Sequence, residues 1–325
     1  MKTLFLHAGH GKTGSSFLQS SLALSADTLL QHNLCYPDLI GNFAAARAGR
    51  ITSGNIHILK KTLPTWLDDA RALAPAHGSL VFSNEHLFGA IRERDFFETL
   101  DDVRSRGFTP RILLFVRNPL DHAVSYYQQR IKRSGSTADF GTFLESYDVP
   151  AEMLEAIDLL QEYEIEHRLF NYSNHRADLL AIANAWLGLP DSTLALPERT
   201  TVNRSLTAAE MALQMAFNRY LGSRSSVFVS DPLCDQLPGL KSEYPAVSYD
   251  ALAGFLTRMR HSVALTNPHM PPAERYVVPD PDEAIRLFPG CDDESPLMFT
   301  RGQVEILARR IARHIKDLES RTPAS

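Results

Sequence analysis

Residues 2–22 constrain the fold more than any other stretch of the chain. An apolar run, Leu4-Phe5-Leu6, leads into a glycine-rich turn, Gly9-His10-Gly11-Lys12-Thr13-Gly14. A helical pattern follows from Ser15, with Phe17, Leu18 and Leu22 on one side. A short apolar run ended by glycines reads as a buried strand. Similar runs occur at 78–83 and 111–116, with a further strand at 166–171. Between them lie helical patterns over 57–74, interrupted or restarted at Pro64, over 93–106 and over 174–187. Asn118-Pro119 opens another helix, with Asn118 as N-cap and Pro119 at the first helical position. Fully apolar strands alternating with helices predict an α/β fold: a P-loop-like parallel β-sheet flanked by helices on both faces.

The strand signal fades after residue 190. Thr207 and Glu210 form a capping box that starts a helix running to about Leu221. Residues 222–300 are rich in proline and serine, with short helical pieces, and read as a substrate-side elaboration or a loosely packed lid. In the last helix Val304, Leu307, Ile311, Ile315 and Leu318 recur at spacings of three and four, which predicts a stripe facing a core. Arg309, Arg310, Arg313 and Lys316 fall on the opposite, solvated face. The pattern predicts one domain over 1–325: a core at about 1–220, a mostly helical elaboration at 221–300 and a C-terminal helix at 301–320.

Composition narrows the function classes. With 325 residues, 44% hydrophobic and 22% charged, the chain is an ordinary globular one. A net charge of −5 argues against a general nucleic-acid binder, though a local anion site needs only a few residues. Cys35, Cys234 and Cys291 are widely spaced and form no metal-binding pattern, so free thiols and no metal are expected. The N-terminal apolar run is shorter than the ~7–15 residues of a signal peptide, and no run reaches the ~18 of a membrane span. A cytoplasmic protein without a transmembrane segment is the expectation.

The glycine turn has the chemistry of an anion site. A helix N-terminus carries free N–H groups and about half a positive charge. Gly11 and Gly14 let the backbone wrap closely, Ser15 and Ser16 add hydroxyls, and Lys12 adds a full charge. The lysine precedes the last glycine, so the Walker A order G-x-x-x-x-G-K-[ST] is absent. The strand at 111–116 ends in Arg117, where a kinase of the Walker type would place a magnesium-binding carboxylate. A cation at that position suits a second anion. Arg117 sits where open α/β sheets bind ligands, and Ser125 follows about two turns into the next helix. For Arg117 the bland alternative is an ion pair with Asp121, and for Ser125 simple helix packing. His7 and His10 flank the turn and read as structural, imidazole being a common half-buried packing group.

These motifs resemble those of sulfotransferases that use 3′-phosphoadenosine 5′-phosphosulfate (PAPS). GHGKTGSSFLQSSL, from Gly9, resembles their 5′-phosphosulfate loop, and FVRNPLDHAVSYY, from Phe115, resembles their 3′-phosphate motif. Ser79 to Phe88 and Asn203-Arg204-Ser205-Leu206 resemble segments of the bacterial, carbohydrate-type members, and the resemblance spans about residues 1–220. It implies that Lys12 contacts the leaving oxygen, while Gly11, Thr13, Gly14, Ser15 and Ser16 hold the 5′-phosphate. It implies Arg117 and Ser125 at the 3′-phosphate, Arg204 among the cofactor-binding residues, and Glu85 as general base with His86 as its rival. Ser15-Ser16 stands where Thr-Thr is more common; both supply hydroxyls. PAPS would be the co-substrate, with no metal, and the acceptor a hydroxyl on a small molecule or glycan.

Two other readings compete with a sulfotransferase: a P-loop small-molecule kinase and a non-catalytic nucleotide-binding protein. Tyr126, Tyr127, Arg130, Lys132 and Trp66 are candidates for an acceptor groove, as is the 222–300 segment. Oligomeric state is not legible.

Overall fold

The computed structural model describes residues 2–50, 52–73, 78–198, 204–289 and 296–321. Asn203 and Cys291 lie outside them. In chain order the elements are β1 (Lys2–Gly9), α1 (Ser15–Leu24), α2 (Ala26–Gln31), β2 (Leu34–Cys35), α3 (Phe43–Arg47), α4 (Leu63–Leu73), β3 (Ser79–Ser83), α5 (Leu87–Ile91), α6 (Arg94–Ser105), β4 (Phe108–Val116), α7 (Pro119–Ser134), α8 (Phe140–Glu145), α9 (Val149–Glu162), β5 (Glu166–Asn171), α10 (Leu179–Leu187), α11 (Ala208–Leu221), α12 (Ser230–Gln236), α13 (Tyr249–Thr266), α14 (Pro281–Ala284) and α15 (Arg301–Arg321).

The described chain forms two compact units. The first comprises 1–121, 148–202 and 259–278; the second comprises 122–147, 203–258 and 279–325. The division does not fall near residue 220, because α7 and α13 each start in one unit and end in the other.

The first unit is built on a sheet of order β2-β3-β1-β4-β5, in which every strand pair is parallel. Alternation along the strands explains why it needs two covered faces. Leu4, Leu6 and Ala8 of β1 join Leu80 and Phe82 of β3 and Ile112, Leu114 and Val116 of β4 on one side. Residues of α4, α5, α6 and α9 cover them, among them Trp66, Phe88, Phe97 and Ile157. Phe5, Val81, Leu113 and Phe115 point to the other side, under Leu18 and Leu22 of α1 and Leu179 and Trp186 of α10. The α/β architecture with helices on both faces is therefore as the sequence predicts.

Several local expectations shift. The helix at 57–74 begins only at Leu63, so Pro64 falls in its first turn, where a missing N–H costs nothing. The helix at 174–187 begins at Leu179. The side-chain oxygen of Asn118 accepts from Asn171 Nδ2 at 2.9 Å and from Val277 N at 3.1 Å, tying the end of β4 to the end of β5. Part of the expected loose 222–300 segment is core: Val263, Met270 and Tyr276 pack into the first face of the sheet.

The second unit is helical. Its aromatic cluster contains Tyr127, Phe140, Phe143, Tyr147, Phe255 and Phe288. The capping box at Thr207 and Glu210 forms as predicted. The C-terminal stripe forms only in part. Val304, Ile315 and Leu318 are about half exposed, whereas Leu307 packs beside buried Ile306 in the cluster that holds Leu233 of α12, and Gln303 is buried. The helix is rotated from its most apolar face because Gln303 donates to buried Glu210 at 2.8 Å, a polar anchor that hydropathy spacing cannot register.

Glu210 is also the partner of Arg204, in a bidentate pair of 2.7 and 2.8 Å. The carbonyls of Leu237, Ser205 and Leu233 take the other three guanidinium protons. Both side chains are almost fully buried. Arg204→Ala is expected to destabilise the second unit by about 3–5 kcal/mol, since it leaves a buried carboxylate uncompensated. Urea unfolding of wild type and variant checks this; an unchanged midpoint would show the pair to be dispensable.

Candidate functional site

All candidate groups of the first unit gather at one edge of its sheet. Because the strands are parallel, the turn after β1, residues 84–86 after β3 and Arg117 after β4 emerge together at the carboxyl edge. The helix following β1 covers one face of the sheet, and those following β3 cover the other. Such a divergence of connections opens a crevice at the strand ends.

The turn itself departs from ordinary backbone. Lys12 has φ +68° and Gly14 φ +84°, both left-handed. At Gly14 a side chain would meet Leu179 Cδ1 at 2.6 Å and Tyr172 Cε2 at 2.9 Å, so only glycine fits. Lys12 holds a conformation that non-glycine residues seldom adopt, a strain that clusters at functional sites. Thr13 donates its hydroxyl to the His10 carbonyl at 2.5 Å, closing the turn from inside. That use of Thr13 shapes the loop. Ser15, by contrast, is buried with its Oγ unpartnered. At Gly9, the first glycine of the turn, a Cβ would sit 2.0 Å from Ser15 Oγ. The Gly-x-Gly spacing marks the turn, but the close approach of the Ser15 hydroxyl to this backbone is seen only in the folded chain.

Arg117 reaches back to this turn, its Nη1 donating to the Lys12 carbonyl at 3.1 Å. Its guanidinium also lies 5.6 Å from the Tyr172 ring centre. Asp121, the expected rival partner, accepts from Arg176 at 3.1 Å. Glu85 follows β3 and is half-buried. Burial pushes its carboxyl up from the ordinary value, and the Lys12 charge opposes that rise, which places the two groups in each other's field. His86 is exposed and stacks on His57, ring centres 5.7 Å apart.

The structure thus brings together Lys12, Gly14, Ser15, Ser16, Glu85 and Arg117. Gly11 has open space around its α-carbon. Ser125 is half-buried on α7, in the second unit. Arg204 is also in the second unit, and its five donors are already used, so it has none left for a nucleotide. Among the acceptor candidates, Lys132 is buried and donates to the Arg204 carbonyl at 2.9 Å. Tyr127 donates to the Ala138 carbonyl at 2.9 Å, and buried Trp66 donates to the His57 carbonyl at 3.3 Å. These three serve packing, while Tyr126 and Arg130 are exposed. Among the described residues no group of three or more His, Cys, Asp or Glu could hold a metal, and no helix is long and apolar enough to cross a membrane.

Fold and site define an open, all-parallel α/β protein with cations and a half-buried carboxylate at the carboxyl edge of its sheet. No protein-family model and no curated protein matches the chain. Among solved structures, a sulfotransferase domain from the curacin biosynthetic pathway matches at 14% identity and a TM-score of 0.37, over 86% of this chain and 99% of that one. A likeness of that size identifies neither substrate nor reaction.

His7 and His10 are buried beneath the turn, and burial lowers each to about 4. The unfolded chain therefore takes up two protons near pH 6.5 that the folded one refuses until about pH 4. Stability from these groups is complete above pH 6.5 and is lost on acidification, at about 1.4 kcal/mol per histidine per pH unit. The urea midpoint should fall between pH 7 and pH 5, and His10→Asn should remove its share of that slope. An identical slope in the variant would take His10 out of the account.

Proposed function

We propose that the chain is a sulfotransferase that moves a sulfuryl group from PAPS to a hydroxyl of a glycan or small-molecule acceptor. The observation that carries this is the hydrogen bond from Arg117 to the Lys12 carbonyl, which ties two cationic motifs together, with the Glu85 carboxylate in the field of Lys12. The donor set fits an oxyanion: a helix start, an unpartnered buried hydroxyl on Ser15, and a lysine in a fixed left-handed turn. PAPS supplies an activated sulfuryl group on a phosphate leaving group.

The chain's own residues divide the work. Gly11, Gly14, Ser15 and Ser16 bind the 5′-phosphate through backbone and hydroxyl donors, and Thr13 keeps the turn closed. Lys12 stabilises the charge that grows on the leaving oxygen, as fixed cations do in phosphoryl transfer. Arg117 binds the 3′-phosphate with its planar fork. Ser125 is retained in this assignment on its motif position alone. Glu85 accepts the proton of the acceptor hydroxyl as that oxygen attacks sulfur in line. Its raised pKa makes it a better base than an exposed carboxylate. His86 is the alternative base, and Arg204 is left out. No step requires a divalent metal.

Calorimetry with 3′-phosphoadenosine 5′-phosphate in a chelator tests the reading. Wild type should bind without Mg²⁺, and Arg117→Ala should bind roughly 10- to 150-fold more weakly, the range of a lost charge-assisted contact. Binding of ATP only with Mg²⁺ would point to the kinase reading.

Glu85→Gln should lower turnover by about 10²–10⁴-fold while leaving nucleotide affinity in place. Near-normal turnover would pass the base role to His86. Binding without turnover in wild type, across hydroxyl acceptors, would leave a nucleotide-binding protein.

A further inference from the structure

The turn rests on a chain of buried polar side chains that the proposed reaction does not use. Thr52 Oγ1 donates to Gln19 Oε1 at 3.2 Å, and Gln19 Nε2 donates to Ser83 Oγ at 3.1 Å. Ser83 Oγ lies 2.8 Å from His7 Nδ1. Gln19, Ser83 and His7 have no exposed surface, and Thr52 has little. The direction of this relay follows from counting protons. Ser83 Oγ accepts from Gln19, and a second donation to it from His7 Nδ1 would leave the buried Ser83 hydroxyl proton without an acceptor among the described residues, so that proton goes to His7 Nδ1. Reversing every bond would leave the Thr52 hydroxyl proton without an acceptor among the described residues, which a buried group avoids. His7 then carries its proton on Nε2, and that atom is buried with no partner.

The other orphan lies beside it. Ser15 Oγ is likewise buried and unpartnered. A Cβ placed on Gly9 would sit 2.0 Å from Ser15 Oγ and 3.5 Å from His7 Cε1, the ring carbon between Nδ1 and Nε2. The imidazole and the Ser15 hydroxyl are thus both near neighbours of one glycine. Two such atoms left idle under an anion-binding turn are costly unless the loaded state uses them.

We propose that His7 is a positioning residue: its Nε2–H donates to Ser15 Oγ when an anion occupies the turn, so that the Ser15 hydroxyl proton is aimed at the anion. The relay Thr52, Gln19, Ser83, His7, Ser15 then runs in one direction and ends on the ligand. Because His7 is neutral, it adds direction without adding charge, leaving charge neutralisation to Lys12 and Arg117. Burial holds the imidazole neutral well below physiological pH, consistent with that part. The inference rests on the sulfotransferase reading for its ligand, 3′-phosphoadenosine 5′-phosphate.

Nitrogen NMR of ¹⁵N-histidine-labelled protein reads the tautomer directly. His7 should be neutral and protonated on Nε2 in the free protein, and that proton should move downfield on addition of the nucleotide. Calorimetry then compares Ser83→Ala in the Ser15 and Ser15→Ala backgrounds. Losing the relay should weaken binding about 3- to 10-fold when Ser15 is present, the worth of one neutral hydrogen bond, and hardly at all when it is absent. A His7 proton on Nδ1, an unmoved Nε2 proton, or equal losses in both backgrounds would overturn the proposal alone. Wild type that binds no nucleotide would overturn the sulfotransferase reading and this proposal with it. If Ser83→Ala does not fold, the tautomer and its response to nucleotide decide the matter in wild type.

Discussion

The contact on which the site depends is the 3.1 Å hydrogen bond between the Arg117 guanidinium and the Lys12 carbonyl. It joins residues 105 positions apart and locks the exit of β4 to the turn after β1. The carbonyl is available because Lys12 is left-handed, which turns the peptide at that point, and Gly14 completes the reversal. Tyr172 and Leu179 lie close against Gly14, and Tyr172 also lies under the Arg117 guanidinium. The loop is therefore held by elements that the sheet brings together. A looser turn would scatter the same residues without making a site.

Charge and burial are divided in a consistent way around this contact. The cations are at the sheet edge, where they are partly solvated and can meet an anion. Beneath them lie two histidines whose burial favours the neutral form. A charged imidazole there would compete with Lys12 and Arg117 for the same anion. Glu85 is poised between opposing influences, burial raising its pKa and Lys12 lowering it. A carboxylate left fully charged by an adjacent ion pair would be a poor proton acceptor, and one fully desolvated would not be ionised at all.

Buried polar pairs decide local structure wherever hydropathy spacing fails. The C-terminal helix shows this plainly. Most of its apolar stripe, Val304, Ile311, Ile315 and Leu318, is left exposed, while Gln303 is buried and bonded to Glu210, which already binds Arg204. Leaving such a group unpaired costs more than exposing a few aliphatic side chains, which are common on protein surfaces. The same logic takes Arg204 away from the nucleotide, since all five of its donors are used internally, and buried Lys132 donates to the Arg204 carbonyl.

Read alone, the amino-acid order determined the strand–turn–helix unit at residues 2–22, the parallel α/β class and the candidates Lys12, Glu85 and Arg117. These were legible because apolar runs and glycine punctuation are local signals, and because a parallel sheet sends every strand end to the same edge. Only the tertiary structure decided that Arg204 is consumed in internal bonds, which face of α15 is buried, that Val263 and Met270 belong to the core of the first unit, and that Ser15 and His7 each keep an idle polar atom. Those facts depend on what lies across from a side chain in space, and pairing over 70 or more residues leaves no trace in spacing along the chain.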